Sequence, residues 1–311
     1  MANTLGTVNG TLVAQQTLES LLTMFPVLKL IATDFSPSTA LYNQQVVSRV
    51  VQPTTAGDYN TSTGYVSTDR AVVDVPVTIN QHIFHQYDVN DQERSSTNRD
   101  LLAEWSQTAA HSLGKRMVDD LIGVINANAT SFPTGNRTNF ANAAAFTYSS
   151  VVDIRAALNK RFVPDMGRFM LLNSDFASSL HKDSTVIANY ANPASTVIDS
   201  GKLVRVHGFD IAEYAALTGG TLHIAGFAGN REALVMACRV PEAPSTDLPL
   251  GGTIDVVTEP NSGLSIQLRQ NYDFQKGREF RTMTLMYGVA PGFDTTGSPA
   301  TANKIQLITY T

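Results

Sequence analysis

The chain of 311 residues has one cysteine, Cys238, so no disulfide can form within it, and such sparing use fits a reducing compartment. No long apolar run occurs, and no charged segment precedes an apolar stretch near the first residues. Neither a membrane span nor a secretion signal is expected. Without such a signal the Asn-x-Ser/Thr triplets at Asn9, Asn60, Asn128 and Asn136 read as chance matches. The formal charge is −5, which argues against gripping nucleic acid through a basic surface but not against enclosing it. The patterns of chemistry are missing too. No Gly-Lys-Ser/Thr follows Gly219-Gly220 or Gly226 to Gly229, which read as turn glycines, and no Gly-x-Ser-x-Gly elbow occurs. His82 and His85, three apart on a strand, point to opposite faces and lack Cys or carboxylate partners at ligand spacing. Cys238 sits in an apolar strand, where a buried, inert thiol is expected. His111, near Asp119 and Asp120, is expected at the rim of a helix stripe. No catalytic residue, cofactor site or metal site is assigned, and in a chain of this length that emptiness favours a structural or assembly role.

What is present starts with the stretch Thr97 to Asn128. Leu102, Trp105, Ala109, Leu113, Met117, Leu121 and Val124 alternate three and four apart, forming one apolar stripe on a long helix. Thr97 and Asp100 make a weak capping box, and Pro133 lies beyond the end. At ~1.5 Å per residue the rod is roughly 45 Å long. Gly114 and Gly123 each cost about 1 kcal/mol against alanine in such a helix.

Residues 1 to about 40 read as an arm. Leu18, Leu21, Leu22 and Phe25 share one face of a short helix that Pro26 ends, followed by Leu28, Leu30, Ile31 and a turn at Ser36-Pro37-Ser38. So short a segment must lay its stripe on something else. Two strand-like runs then flank a polar tip from Pro53 to Thr68. In the second run Ala71, Val73, Val75, Val77, Ile79, Ile83, Tyr87 and Val89 share odd parity over nineteen residues. Fully extended at about 3.3 Å per residue this spans ~60 Å, so a projecting hairpin fits better than a compact sheet. Pro76 suits an edge or bend. Arg49, Asp58, Asp69, Arg70 and Asp74 decorate the arm, available to a neighbouring molecule.

Beyond the long helix, Ser150 and Asp153 open a second helix ending near Pro164, and Arg168 to Leu172 reads as a buried strand. Asn173 caps a helix carrying Phe176 and Leu180. Lys202 to Val206, Thr221 to Ile224 and Ala233 to Val240 read as strands, giving an α/β module over about 150–245. From Gly251 the chain is almost wholly β, with strands at Thr253–Thr258, Leu264–Tyr272, Phe280–Val289 and Ile305–Tyr310.

This order, with its wording, resembles the major capsid protein of tailed bacteriophages, the Hong Kong 97-type fold. The residues that carry the resemblance are Val75-Pro-Val-Thr-Ile-Asn-Gln-His82 through Asp88-Val-Asn-Asp91 into the helix, and Gly167-Arg-Phe-Met-Leu-Leu-Asn-Ser-Asp-Phe176. Val206-His-Gly-Phe-Asp210, and Gly263-Leu-Ser-Ile-Gln-Leu through Tyr272-Asp to Tyr287-Gly-Val289, extend it over nearly the whole chain.

The resemblance implies an α+β chain with four parts. Residues 1–40 would be the N-arm and 41–93 the extended E-loop hairpin. The P-domain would take 94–149 and 246–311, with its spine helix at about 97–128, and the A-domain 150–245. The spine-helix core would be Leu102, Trp105, Leu113, Met117 and Leu121. Leu18, Leu21, Phe25, Arg49, Asp58, Tyr59, Tyr65, Asp69 and Arg70 would make the contacts between subunits.

The implied function is self-assembly as hexamers and pentamers into an icosahedral shell, the phage head. The shell would enclose double-stranded DNA without sequence-specific binding and with no membrane. It would form in the host bacterial cytoplasm with separate scaffolding and portal proteins, since no long helical prefix precedes the arm. Some relatives weld the shell through an E-loop lysine; none stands between Lys29 and Lys115, so a shell without crosslinks is expected. An encapsulin-like cellular compartment would share the fold. A soluble hydrolase or transferase with an unmarked site, or a tail or connector protein forming rings or tubes, are the other readings.

Overall fold

Apolar patterning sorts the described residues into helices with one buried face and two six-stranded sheets, with a two-stranded sheet besides. The computed structural model describes residues 5–51, 58–65, 72–96, 101–128, 132–186, 205–215, 217, 222–243, 252–260, 262–292 and 304–311. In chain order come helix α1 (Leu5–Met24), the single turn α2 (Val27–Leu30), and strands β1 (Ala32–Ala40), β2 (Gln45–Val51), β3 (Val72–Thr78) and β4 (Gln81–Asn90). Helices α3 (Asp91–Ser96) and α4 (Leu101–Asn128) follow, then β5 (Arg137–Phe140), α5 (Tyr148–Lys160), β6 (Arg168–Leu172) and α6 (Ser174–Lys182). After these come β7 (Arg205–Val206), β8 (Phe209–Glu213), β9 (Ile224–Asn230) and β10 (Leu234–Pro241). The order closes with β11 (Gly252–Thr258), β12 (Ser265–Asp273), β13 (Arg278–Pro291) and β14 (Ile305–Tyr310). Two compact units share this chain by turns: Met1–Val46, Val77–Val124 and Val235–Val289 form one, and Val47–Pro76, Ile125–Leu234 and Ala290–Thr311 form the other.

The first unit is built on a sheet ordered β1-β10-β13-β12-β11, with β4 also pairing β13. Helix α1 is longer than its stripe suggested and lies against β11 and β12. Leu18, Leu21, Leu22 and Phe25 are buried there, so this segment is core of its own unit and not a free arm. The strand β1 pairs in parallel with β10, and its register slips between Phe35 and Thr39, where the sequence suggested a turn around Pro37. Arg239 fastens it, donating from Nη1 to the Asp34 carbonyl and pairing its Nη2 with Asp34 Oδ2, each at 2.8 Å.

Along α4 the buried face carries Ala109, Ala110, Leu113, Met117, Val118, Leu121, Ile122 and Ile125. Trp105 is half-buried, its ring 4.9 Å from that of Tyr87. Val124, placed in the stripe from the sequence, stands at the rim and Ile125 takes the core position; the side chain of Leu102 lies outside the described residues. The Thr97–Asp100 box also falls outside them. The reciprocal cap sits one turn earlier in the chain: Asn90 Oδ1 accepts from the Glu93 N–H at 2.6 Å, and Glu93 Oε2 from the Asn90 N–H at 3.2 Å, opening α3. The buried Tyr287 hydroxyl donates to Asp120 Oδ2 at 2.5 Å, tying α4 to β13. Gly114 is explained by packing, because a Cβ there would stand 2.4 Å from Phe25 Cδ2.

The second unit holds a sheet ordered β5-β14-β9-β6-β8-β7. Phe146, Ile154, Leu158, Met170, Leu172, Phe176, Leu180, Phe209 and Ile308 are among the residues of its core. Asn173 caps α6 as its sequence suggested, accepting from the Phe176 N–H at 2.9 Å. The cap of α5 is Thr147 with Ser150, one turn before the Ser150–Asp153 pair.

Three expectations are corrected in this unit. Strand β14, assigned to the first sheet's domain, lies between β5 and β9, where Ile308 joins this core and buried Gln306 bonds Thr138 and Arg161. Strand β10, placed in the α/β module, pairs with β1 in the first sheet. Gly226 and Gly229 are not turn residues: they lie within β9, where a Cβ would meet the Leu171 carbonyl at 2.4 Å or that of Lys304 at 2.7 Å.

Candidate assembly surface

The arm begins where the nineteen-residue alternation breaks. From Val77 to Val89 the odd positions keep to the inner side, yet Ile79-Asn80 divides β3 from β4, correcting the single long strand read from the sequence. At the break the Asn43 N–H donates to the Ile79 carbonyl at 2.8 Å and the Ile79 N–H to that of Gln44 at 3.0 Å. Asn43 has φ +66°, a left-handed turn conformation that asparagine tolerates. The Tyr42 hydroxyl donates to the Asn80 carbonyl at 2.8 Å, and Ile79 packs with Ala40, Met286 and Val46. Strand β4 pairs with β13, while β2 and β3 form a two-stranded sheet of their own.

The tip between those strands is a made turn. The Gly64 N–H donates to the Asn60 carbonyl at 2.7 Å, and Asn60 Oδ1 accepts from the Ser62 N–H at 2.8 Å. Gly64 takes φ +69°, which a side-chain-bearing residue would adopt only with strain. The turn brings Tyr59 and Tyr65 together, ring centroids 4.9 Å apart, while leaving them 60% and 91% exposed. Both rings thus leave much of their apolar surface in solvent, which a single packed domain gives no use for.

The residues assigned to subunit contacts therefore separate. Asp58, Tyr59 and Tyr65 are gathered at the exposed tip. Leu18, Leu21 and Phe25 are enclosed within the first unit, which is a correction: the stripe with no partner in the local sequence is buried there, with Leu21 and Phe25 set against Gly114 of distant α4. Asp69, Arg70 and the side chain of Arg49 lie outside the described residues. Sequence reasoning missed further exposed apolar residues: Phe84 on the outer side of β4, Phe162 and Met166 between α5 and β6, and Phe274 in the turn after β12. Phe84 was legible, since its even position opposes the inward odd set; the loop residues carry no periodic signal.

Ionisable groups serve packing. His82 Nε2 lies 2.7 Å from Thr284 Oγ1, and His85 Nδ1 lies 3.0 Å from Ser112 Oγ on α4. Burial lowers the pKa of both imidazoles, with Arg269 adding to the effect at His82, so the fold favours the neutral form of each. The Cys238 thiol is buried and pushed up to about 12 by desolvation. Among the described residues no three His, Cys, Asp or Glu side chains gather to hold a metal ion, and no helix is long and apolar enough to cross a membrane.

A family model described as phage capsid protein matches residues 85–298. The chain is similar in structure to the capsid of the cyanophage P-SCSP1u, with TM-score 0.55, 12% identity, and 91% of this chain and 86% of that one covered. For Microbacterium phage Oxtober96 the values are 0.55, 12%, 91% and 90%, and for the capsid of Ralstonia phage GP4 they are 0.51, 12%, 90% and 87%. No curated protein matches the chain. At such identities the likeness of structure speaks to fold.

Proposed function

The chain belongs to the phage capsid protein family and is a major capsid protein of the Hong Kong 97-type fold, and from that premise we propose how its copies join. The β2–β3 arm acts as the E-loop and its Tyr59/Tyr65 tip seats on an adjacent subunit; α4 acts as the spine helix of the P-domain, and the second unit supplies the A-domain. Hexamers and pentamers so formed close an icosahedral head around double-stranded DNA, in the host cytoplasm, with scaffolding and portal proteins. The observation that carries this reading is the strongly exposed Tyr59/Tyr65 pair, brought together by a hydrogen-bonded turn. Each such contact is modest, and repetition around every subunit gives the shell its stability. The net charge of −5 suits a wall that confines DNA without adhering to its phosphates. With no lysine between Lys29 and Lys115, the shell is held without lysine crosslinks in the arm.

The test is electron microscopy and sedimentation of the protein expressed with and without its neighbouring genes. Closed shells are expected, and substituting both tip tyrosines by serine abolishes them or raises the concentration threshold at which they form. A monodisperse small particle under both conditions overturns the reading. The family match favours a phage head over a cellular compartment.

A further inference from the structure

We infer that the loop joining α5 to β6 is a second self-association tip, at which Phe162 and Met166 pack against another copy of this chain. This rests on the shell-forming function proposed above and adds a contact distinct from the arm. Phe162 has φ +57°, in the left-handed region that a bulky residue enters only with strain, yet its side chain is 88% exposed. Met166 is also 88% exposed. The ring therefore makes no internal packing that offsets the backbone conformation it imposes. An unconstrained loop would relax and fold these side chains down; this one is prevented from doing so.

The constraint comes from two arginines. Arg161 donates from Nε to the Ala157 carbonyl and from Nη1 to that of Ile305, each at 3.1 Å, and reaches Gln306 Oε1 with Nη2. Arg168, buried at the far end, donates from Nε to the Pro164 carbonyl at 2.9 Å and from Nη2 to that of Val163. Its Nη1 lies 2.8 Å from Asp165 Oδ1. Between them the Phe162 N–H donates to the Asn159 carbonyl at 2.9 Å, Val163 is buried, and Gly167 turns the chain at φ +67°. The backbone is thus fixed from below while two large apolar side chains stand outward within five residues.

The occupant is a second copy for two reasons. A capsid protein meets chiefly its own copies, at equal stoichiometry, in the shell it builds. Charges of both signs also flank the loop, with Asp165 exposed and Arg155 of α5 4.0 Å from it, so this patch can meet itself with signs reversed across a symmetry axis. Neighbouring copies would cover the two apolar side chains and exchange or share that ion pair at the rim.

Phe162→Gly and Met166→Ser, made separately, test this under the conditions in which the wild type assembles. Phe162→Gly removes the ring and relaxes the backbone, so the unfolding midpoint of the unassembled subunit stays level or rises. The subunit concentration needed for shells should nevertheless rise about tenfold or more, the factor expected for one lost buried side chain. Met166→Ser, at a position with no such strain, should raise it similarly. Shells forming at wild-type concentration with both variants overturn the inference, and so do normal shells that fail only to bind another protein. If the wild type forms no shells with its neighbouring genes present, the proposed function itself fails and this inference with it.

Discussion

Alanine at Gly114 and alanine at Gly123 should move stability in opposite directions, although both replace a glycine in the same helix. Backbone propensity alone favours each change by about 1 kcal/mol. At Gly123 a Cβ meets nothing within 4 Å, so that gain stands uncorrected and the variant is more stable by about 1 kcal/mol. At Gly114 the new methyl would lie 2.4 Å from Phe25 Cδ2, 2.7 Å from Phe25 Cε2 and 3.2 Å from Leu21 Cγ. Both partners are buried, and the ring offers no flexible end that can swing away. Overpacking of this kind costs up to about 3 kcal/mol, leaving a net loss of about 2 kcal/mol after the propensity gain. Urea unfolding of the unassembled subunit measures both, read through the single tryptophan, Trp105, which lies on the same helix against Tyr87. Phe25→Leu in the Gly114→Ala background should recover more than the sum of the single changes allows, since the two sites share one contact. A Gly114→Ala subunit as stable as wild type, or glycine variants shifting the same way, would refute the packing argument.

Other outcomes follow from the same geometry. Cys238 should resist thiol reagents in the native subunit at pH 8 and react at the unfolded rate in urea; rapid native labelling would contradict its burial. Because its folded pKa is raised, its contribution to stability is full below about 9, where the unfolded thiol starts to ionise, and is lost as pH climbs towards 12, a decline that Cys238→Ala should lessen. His82 and His85 carry the opposite sign: lowered in the fold, they stabilise it above the unfolded histidine pKa of 6.5, and that stability is lost as pH falls through their folded values. Proton titration by NMR should find both below 6.5, and His85→Gln should flatten the acid limb of the stability profile. Arg168→Met should destabilise the subunit by roughly 2–4 kcal/mol, leaving the Val163 and Pro164 carbonyls without their donor, as chemical unfolding would register.

Where local pattern decides structure, the sequence was a good guide. The three-four spacing found the long helix and four of the eight buried apolar residues described on it, parity found the inward side of β4, and Asn173 marked its own helix start. Partnership between distant segments was not legible. Nothing in the wording of Ile305–Tyr310 says that it enters the sheet of β9, since an apolar strand satisfies either core. Gly226 and Gly229 looked like turn residues because the crowding that demands them comes from Leu171 and Lys304, far away in the chain. The stripe of Leu18, Leu21 and Phe25 was correctly seen as needing a partner, and the partner was internal. At the candidate site the tip tyrosines were read from composition, whereas Phe162 emerged only from a backbone angle that sequence does not encode.

The alternation of the two units along the chain bears on how the molecule is made. The first unit needs residues as late as Val289, and the sheet of the second is open until β14 slides between β5 and β9. At a synthesis rate of about 5–20 residues per second, long stretches of apolar strand wait on the ribosome with their partners still unmade. Folding dominated by such remote pairings is slow, and exposed strand edges in that interval invite aggregation. The interleaving therefore imposes a delay between translation and a subunit fit to polymerise, and during that delay a chaperone has its opportunity to act.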